Sequence, residues 1–254
     1  MSVVEVNKEF YNKLYKKRNP WISWLYSKIS FDQQSKSKVN IRVIKQHLGD
    51  KFKQDLTVLD YGFGHGSLLL KYRKNHLLYG CDISEEAVFN FPSVAKIVGM
   101  NVRTGTVEEF LSKYNEVRFD VISLSHIIEH VDDDAGLVNS LAQKLSDKGV
   151  ILINIPINEV WLDPKHVRKY DVNYTKALLE KCNLKAISIN ETDKLTSYFL
   201  IEEKVKNAGK LKRLWLRSLR LIFAIIPYGV LKAFENKFLS SHSDQQLVVL
   251  ACRK

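Results

Sequence analysis

Two groups of residues in this chain have types and spacings suited to chemistry. In the first, Asp60-Tyr61-Gly62-Phe63-Gly64-His65-Gly66-Ser67, an acid ends an apolar run and glycines then alternate with other residues. Alternating glycines let the main chain take conformations closed to other residues and let a ligand approach the backbone. A further acid, Asp82, ends the next apolar run. In the second group, Ser125-His126-Ile127-Ile128-Glu129-His130-Val131 follows an apolar strand pattern, and His166 lies in a later polar loop. On a helix, His126, Glu129 and His130 share one face. Such a set can pin loop backbone, remove a proton near neutral pH, or hold a transition metal.

The elements that must position these residues can be read from periodicity. Residues 10–29 interleave Phe10, Tyr11, Tyr15, Trp21, Trp24 and Tyr26 with Lys13, Lys16, Lys17 and Arg18. They read as amphipathic helices packed on a domain, or as a cap that gives a pocket aromatic walls. A helix over 38–48 leads into the first strand. After the glycine turn come a helix over 68–73, a strand over 77–82, and a helix capped by Ser84 with Glu85 and Glu86 in its first turn. A weaker strand over 101–104 precedes a helix; strand 119–124, helix 135–145 and the very apolar strand 150–155 follow. Strands alternating with helices imply a parallel sheet covered on both faces, with ligands at the carboxyl ends of the strands. Helix 175–181, strand 184–189 and a final strand over 246–251 complete an α/β, doubly wound, mostly parallel seven-stranded sheet. The expected organisation is a helical cap over 1–54, a core over 55–194, a helical insertion over 195–244, and the last core strand over 245–254.

The glycine spacing separates two cofactor classes. A dinucleotide turn needs Gly-x-Gly-x-x-Gly, and here Ser67 stands at the third glycine. Asp60 would also sit poorly beside a pyrophosphate, whereas an ammonium group suits it. The run from Asp60 to Gly66 resembles the first motif of the class I S-adenosylmethionine-dependent methyltransferases. That resemblance spans about residues 58–189. It implies S-adenosyl-L-methionine as methyl donor and S-adenosyl-L-homocysteine as product, bound by Asp60, Gly62, Phe63, Gly64 and Gly66. It places Asp82 on the ribose hydroxyls, where a carboxylate accepts two hydrogen bonds, with Ile83 beside it. Thr106, Val107 and Glu108 correspond to the adenine-contacting stretch, although many relatives carry an aspartate where this chain has Thr106. Ser125 corresponds to a cofactor-lining residue.

Residues 127–131 and 166–170 resemble the small-molecule branch that includes quinone-biosynthesis O-methyltransferases. The expected reaction is methylation of a hydroxyl, with His126 or His130 as base and His166 in support. Metal-dependent relatives place an acid where His126 stands, so a metal is not favoured; its candidate ligands are His126, Glu129, His130 and His166. Methylation of a small-molecule nitrogen or an RNA 2′-hydroxyl, and a non-enzymatic interaction module, are the alternatives.

Composition frames the partners. The formal net charge is +11, which admits nucleic acid, an anionic membrane or an acidic small molecule. Three scattered cysteines, Cys81, Cys182 and Cys252, read as reduced thiols of a cytoplasmic protein. Residues 1–10 lack a signal-peptide apolar core, and no run reaches the roughly 20 apolar residues of a spanning helix. In the insertion, Lys210, Arg213, Arg217 and Arg220 form a basic helical stripe, with Leu211, Leu214, Trp215, Leu221, Ile222 and Ile225 across much of the other side. This reads as a lid with solvated bases, or as an interfacial helix on the inner face of a membrane. A small-molecule acceptor is the expected partner; nucleic acid ranks lower, since no RNA-binding module is recognised.

Overall fold

The computed structural model describes residues 3–16, 19–161 and 163–254; Met1, Ser2, Leu162 and the bases Lys17 and Arg18 of the N-terminal stretch lie outside the described residues. A seven-stranded sheet has the order β3-β2-β1-β4-β5-β7-β6. Its strands are β1 Thr57–Tyr61, β2 Leu77–Asp82, β3 Val102–Thr106, β4 Phe119–Ser125, β5 Leu145–Pro156, β6 Leu184–Thr192 and β7 Gln246–Arg253. β1 to β5 pair in parallel, and β7 is antiparallel to both β5 and β6. Strand order reverses between β1 and β4, so the switch point, where such sheets bind ligands, lies beside Tyr61 and Ser125 at their carboxyl ends.

Alternation along the strands splits the core in two. Leu59, Ile122, Ile151 and Val249 face α5 Val107–Lys113, α6 Asp134–Ala142 and α7 Val172–Lys181. Val58, Val121, Val150 and Val248 face α3 Phe31–Leu48 and α4 Glu85–Ile97. Both faces being apolar is what a buried parallel sheet requires. Ahead of the core, α1 Val3–Leu14 and α2 Pro20–Ile29 form the cap. A third, smaller core gathers Phe31, Phe199, Leu216, Ala224 and Leu231 beneath α8 Lys194–Leu200, α9 Lys210–Ile225 and α10 Tyr228–Phe238.

Three local expectations are corrected. The helix expected over 68–73 is only a 3-10 turn, Leu69–Lys71. Leu68, Leu69, Leu70 and Tyr72 are all buried, and Tyr72 already takes extended backbone as its ring enters the core, which ends the turn. Residues 125–131 are not helical either: His126 takes φ +57, leaving a single 3-10 turn at Ile128–His130. The cause is visible, since the His126 N–H donates to the Asn154 carbonyl at 2.8 Å and extends the β4–β5 pairing past the end of β4. Finally, α6 ends at Ala142, and Leu145 already pairs with Phe119 in β5.

α9 packs through a different face from the one its apolar residues opposite the bases suggest. Leu216, Leu219, Phe223 and Ala224 make the inward seam. Leu211, Leu214, Trp215, Leu221, Ile222 and Ile225 are each more than half exposed. Arg220, the fourth base of the expected stripe, turns inward, 3.0 Å from Glu203 Oε2 and over the Phe199 ring. No helix of the described residues is long and apolar enough to cross a membrane.

Candidate active site

The turn after β1 is built from glycines in the left-handed region, with φ +75 at Gly62, +52 at Gly64 and +68 at Gly66. Each also meets a different neighbour at close range. A Cβ on Gly62 would lie 1.9 Å from Ile127 Cδ1, one on Gly66 1.9 Å from Phe91 Cε2, and one on Gly64 2.6 Å from the Tyr15 hydroxyl. The left-handed φ strains a side chain at each of these positions, so the backbone forms a cradle. Phe63 turns its buried ring under Gly80 and against Phe91, and so supports the cradle from the core.

Two buried acids bracket the turn. Asp60 accepts from Ser123 Oγ at 2.6 Å. Burial pushes its carboxyl up to about 7, opposed by the Ser123 bond and reinforced by Asp82. A buried acid with one neutral partner leaves acceptor capacity for a cation such as an ammonium. Asp82 accepts from the Gly64 N–H through Oδ2 at 2.8 Å and from the Ser84 N–H through Oδ1 at 2.9 Å. Burial raises its pKa, while the backbone donors at Ser84, Gly64 and Ile83 oppose the shift. It thus ties the cradle to β2 and keeps lone pairs for a diol. Thr106 caps α5 by accepting from the Glu109 N–H, so its side chain is committed; Val107 beside it is half-buried and Glu108 exposed. Ser125 receives a hydrogen bond from Asn40 Nδ2 at 3.1 Å, and Asn40 is held in turn by Asn154 Nδ2 at 2.8 Å.

The cap closes over this switch point. Tyr15 lies above Gly64 and edge-on to His65, and Tyr11 stacks on Tyr15. Burial pushes the Tyr11 phenol up to about 12, with Glu129, Asp163 and Asp82 adding to the shift. Tyr11 therefore bridges the Asp82 side and the histidine cluster, where its ring meets His130 edge-on. Asn12 accepts from Ser84 Oγ at 2.8 Å and Lys8 pairs with Glu85 at 2.7 Å, which docks α1 on the start of α4.

His126, Glu129 and His130 do meet, although no helix brings them together. Glu129 Oε1 is 3.3 Å from His126 Nδ1 and 4.0 Å from His130 Nε2. Glu129 is fully buried and, among the described residues, neither carboxylate oxygen has a partner in hydrogen-bonding geometry. Burial raises its pKa, opposed by His130, Lys36 and His166. His126 is driven well below its ordinary value by burial, with Lys36, His130 and His166 acting in the same sense, so it is neutral at pH 7. His130 Nδ1 faces the Lys165 carbonyl at 3.2 Å, which can only accept. The proton is therefore assigned to Nδ1, and Nε2 presents a lone pair. His166 Nδ1 lies 2.8 Å from Glu159 Oε1, and its ring packs on His130 at 4.9 Å.

One donor atom from each of Glu129, His130 and His166 lies within 4.8 Å of the others. Nitrogen and carboxylate donors with a buried, unpartnered acid fit a borderline transition metal, and Lys165 and Glu159 would orient the two imidazoles. His126 is outside that trio. Sequence reasoning missed Lys36, Asn40 and Glu159. Lys36 and Asn40 come from a helix ahead of the glycine turn, and Glu159 follows Pro156 with no motif to mark it. Tyr11 and Tyr15 were legible only as aromatics of the cap.

A family model described as a methyltransferase domain matches residues 34–189. No curated protein matches the chain. Among solved structures, magnesium protoporphyrin IX methyltransferase from Synechocystis PCC 6803, with bound S-adenosylhomocysteine, is similar with a TM-score of 0.60 at 12% identity, over 98% of this chain and 99% of that one. Coclaurine N-methyltransferase is similar with a TM-score of 0.53 at 13% identity, over 84% of this chain and 70% of that one. The cyclase SpnF is similar with a TM-score of 0.56 at 13% identity, over 83% and 80%. At such identities the structures share a fold, while the matched model spans more than half of the sequence: the chain belongs to the methyltransferase-domain family, with the fold of the class I S-adenosylmethionine-dependent enzymes.

Proposed function

We propose that this enzyme methylates a hydroxyl of a small, partly apolar molecule, such as a sugar, quinone, polyketide or lipid-linked intermediate. S-adenosylmethionine, when bound, supplies a methyl group on a sulfonium that is already electrophilic. The protein's part is to align the acceptor and take its proton. The observation that carries this reading is the lone pair of His130 Nε2, held beside buried Glu129 and directed by the Lys165 carbonyl. As the acceptor oxygen forms its bond to carbon, its proton passes to Nε2, and Glu129 stabilises the resulting imidazolium. Tyr11, stacked on Tyr15 and edge-on to His130, would wall the acceptor site and limit water there. A screen of hydroxylated and amino acceptors for S-adenosylhomocysteine release, with mass spectrometry of the product, tests this. A methyl ether is expected; an N-methyl product overturns the oxygen assignment, and absence of any affinity for S-adenosylhomocysteine overturns the enzyme.

A second reading rests on the same cluster. Glu129, His130 and His166 would hold a divalent transition metal, which would supply Lewis-acid activation of the hydroxyl. Metal analysis of the purified protein, with and without chelator, separates the two.

The exposed apolar stripe of α9, flanked by Lys210, Arg213 and Arg217, supports peripheral docking on an anionic membrane. Trp21, Ile22 and Leu25 of the neighbouring α2 are exposed as well and extend it. Sedimentation with anionic vesicles is expected, and to be lost on Leu214→Glu with Ile222→Glu. Equal recovery in the supernatant with and without vesicles removes the membrane.

A further inference from the structure

Away from the switch point, an open cavity of about 570 Å³ is lined by Lys38, Ile41, Arg42, Lys45, Gln46, Lys71, Tyr228 and Gly229. We infer that this cavity is a binding site for a phosphate-bearing ligand, a mono- or diphosphate group held by Arg42, Lys45, Lys71 and Lys38. None of its lining residues belongs to the glycine cradle or the histidine cluster, so the site stands independently of the methyl-transfer reading.

The charge is concentrated and uncompensated. Lys38, Arg42 and Lys45 project from one face of α3 at spacings of four and three residues, and Lys71 enters from the turn after the glycine cradle. Among the described residues no acid lines the cavity and none of the four bases forms an ion pair. Burial pushes the Lys71 ammonium down to about 8, and Lys28, Lys38 and Lys45 push in the same direction. An anion bound there relieves that mutual repulsion, which is the physical drive for binding.

The donors are also held in place. Lys71 Nζ donates to Gln34 Oε1 at 2.8 Å. Lys38 Nζ donates to the Ala224 and Ile226 carbonyls at 2.6 and 2.5 Å, which anchors it against the end of α9. The Arg42 guanidinium lies over the Tyr228 ring, 5.2 Å from its centroid, leaving its edge N–H groups for a phosphate. Beside it α10 begins at Tyr228 with no side-chain cap, so the positive end of an eleven-residue helix opens on the same space. A Cβ on Gly229 would lie 3.6 Å from Arg42 Nη1, so the guanidinium sits against the first turn of that helix.

Titration calorimetry of the full chain with pyrophosphate at low ionic strength is the test. Saturable binding is expected, about tenfold or more weaker in Arg42→Gln with Lys45→Gln, because charge-assisted hydrogen bonds are lost. Lys148→Gln with Lys185→Gln, two exposed bases elsewhere, removes the same net charge and should leave binding unchanged. Should the Arg42 variant melt early through loss of its contact with Tyr228, Lys45→Gln with Lys71→Gln makes the same measurement. No saturable binding, or equal loss in the control pair, overturns the site. Vesicles carrying phosphatidic acid, compared with phosphatidylserine vesicles of equal charge, identify the source. Preference for phosphatidic acid that disappears in the cavity variant assigns the phosphate to a lipid headgroup. Pyrophosphate binding without that preference assigns it to a soluble ligand.

Discussion

The Gly64 N–H donates to Oδ2 of Asp82 across 2.8 Å, so the acid at the end of β2 holds the glycine turn that follows β1. One carboxylate thereby couples the shape of the cradle to the place where a ribose would lie. Asp82→Ala is expected to orphan the Gly64 and Ser84 amides, costing about 1–3 kcal/mol of stability. It should also weaken S-adenosylhomocysteine binding at least tenfold. Urea unfolding and calorimetry measure the two losses separately, and full affinity in the folded variant would remove Asp82 from the site.

Gly66 and Gly64 should not respond alike to alanine. Gly66→Ala drives a methyl into the buried Phe91 ring at a left-handed φ, and is expected to destabilise by about 2–3 kcal/mol or more. Gly64→Ala meets only the Tyr15 hydroxyl, the far end of a side chain on the cap. Its main effect should fall on cofactor affinity, with a stability loss nearer 1 kcal/mol. Thermal denaturation of both variants, with and without S-adenosylhomocysteine, checks that order.

Asp60 is expected to link cofactor binding to pH. Burial holds its folded pKa at about 7, above the unfolded carboxylate value of about 3.9. Its contribution to stability is therefore full below the unfolded value and is lost as pH rises through about 7. An ammonium bound beside it favours the ionised form, so affinity for S-adenosylhomocysteine is expected to rise with pH up to about 7, with proton release below that pH. Calorimetry in buffers of different ionisation enthalpy reads the released proton. Asp60→Asn should bind weakly, lose the proton release, and no longer lose stability over this range.

In the histidine cluster, His130→Ala is expected to lower kcat by about 10²–10⁴-fold with little change in KM. Glu129→Gln should lower kcat less and shift the pH–rate profile. Turnover is expected to survive a strong chelator. Loss with EDTA and recovery with zinc would instead assign Glu129, His130 and His166 as a metal centre.

The glycine spacing, the acids at two strand ends and the strand–helix alternation were all carried by local sequence. Covalent neighbours and period-2 or period-3.6 burial decide those features, so they identify the fold and the class of methyl donor. Apolar periodicity also found the seventh strand across fifty residues of insertion. The acceptor side was different. Glu129 meets His126 because an N–H past the end of β4 bonds to Asn154, not because a helix face aligns them. His166 reaches His130 from a loop after β5, while Lys36 arrives from α3, and Tyr11 and Tyr15 from the cap. Likewise, only packing decided that α9 buries Leu216 and Ala224 and turns Leu214 and Ile222 outward. An amphipathic pattern fixes which residues share a face. Which face meets the protein depends on neighbours distant in the chain, and only the tertiary structure supplies them.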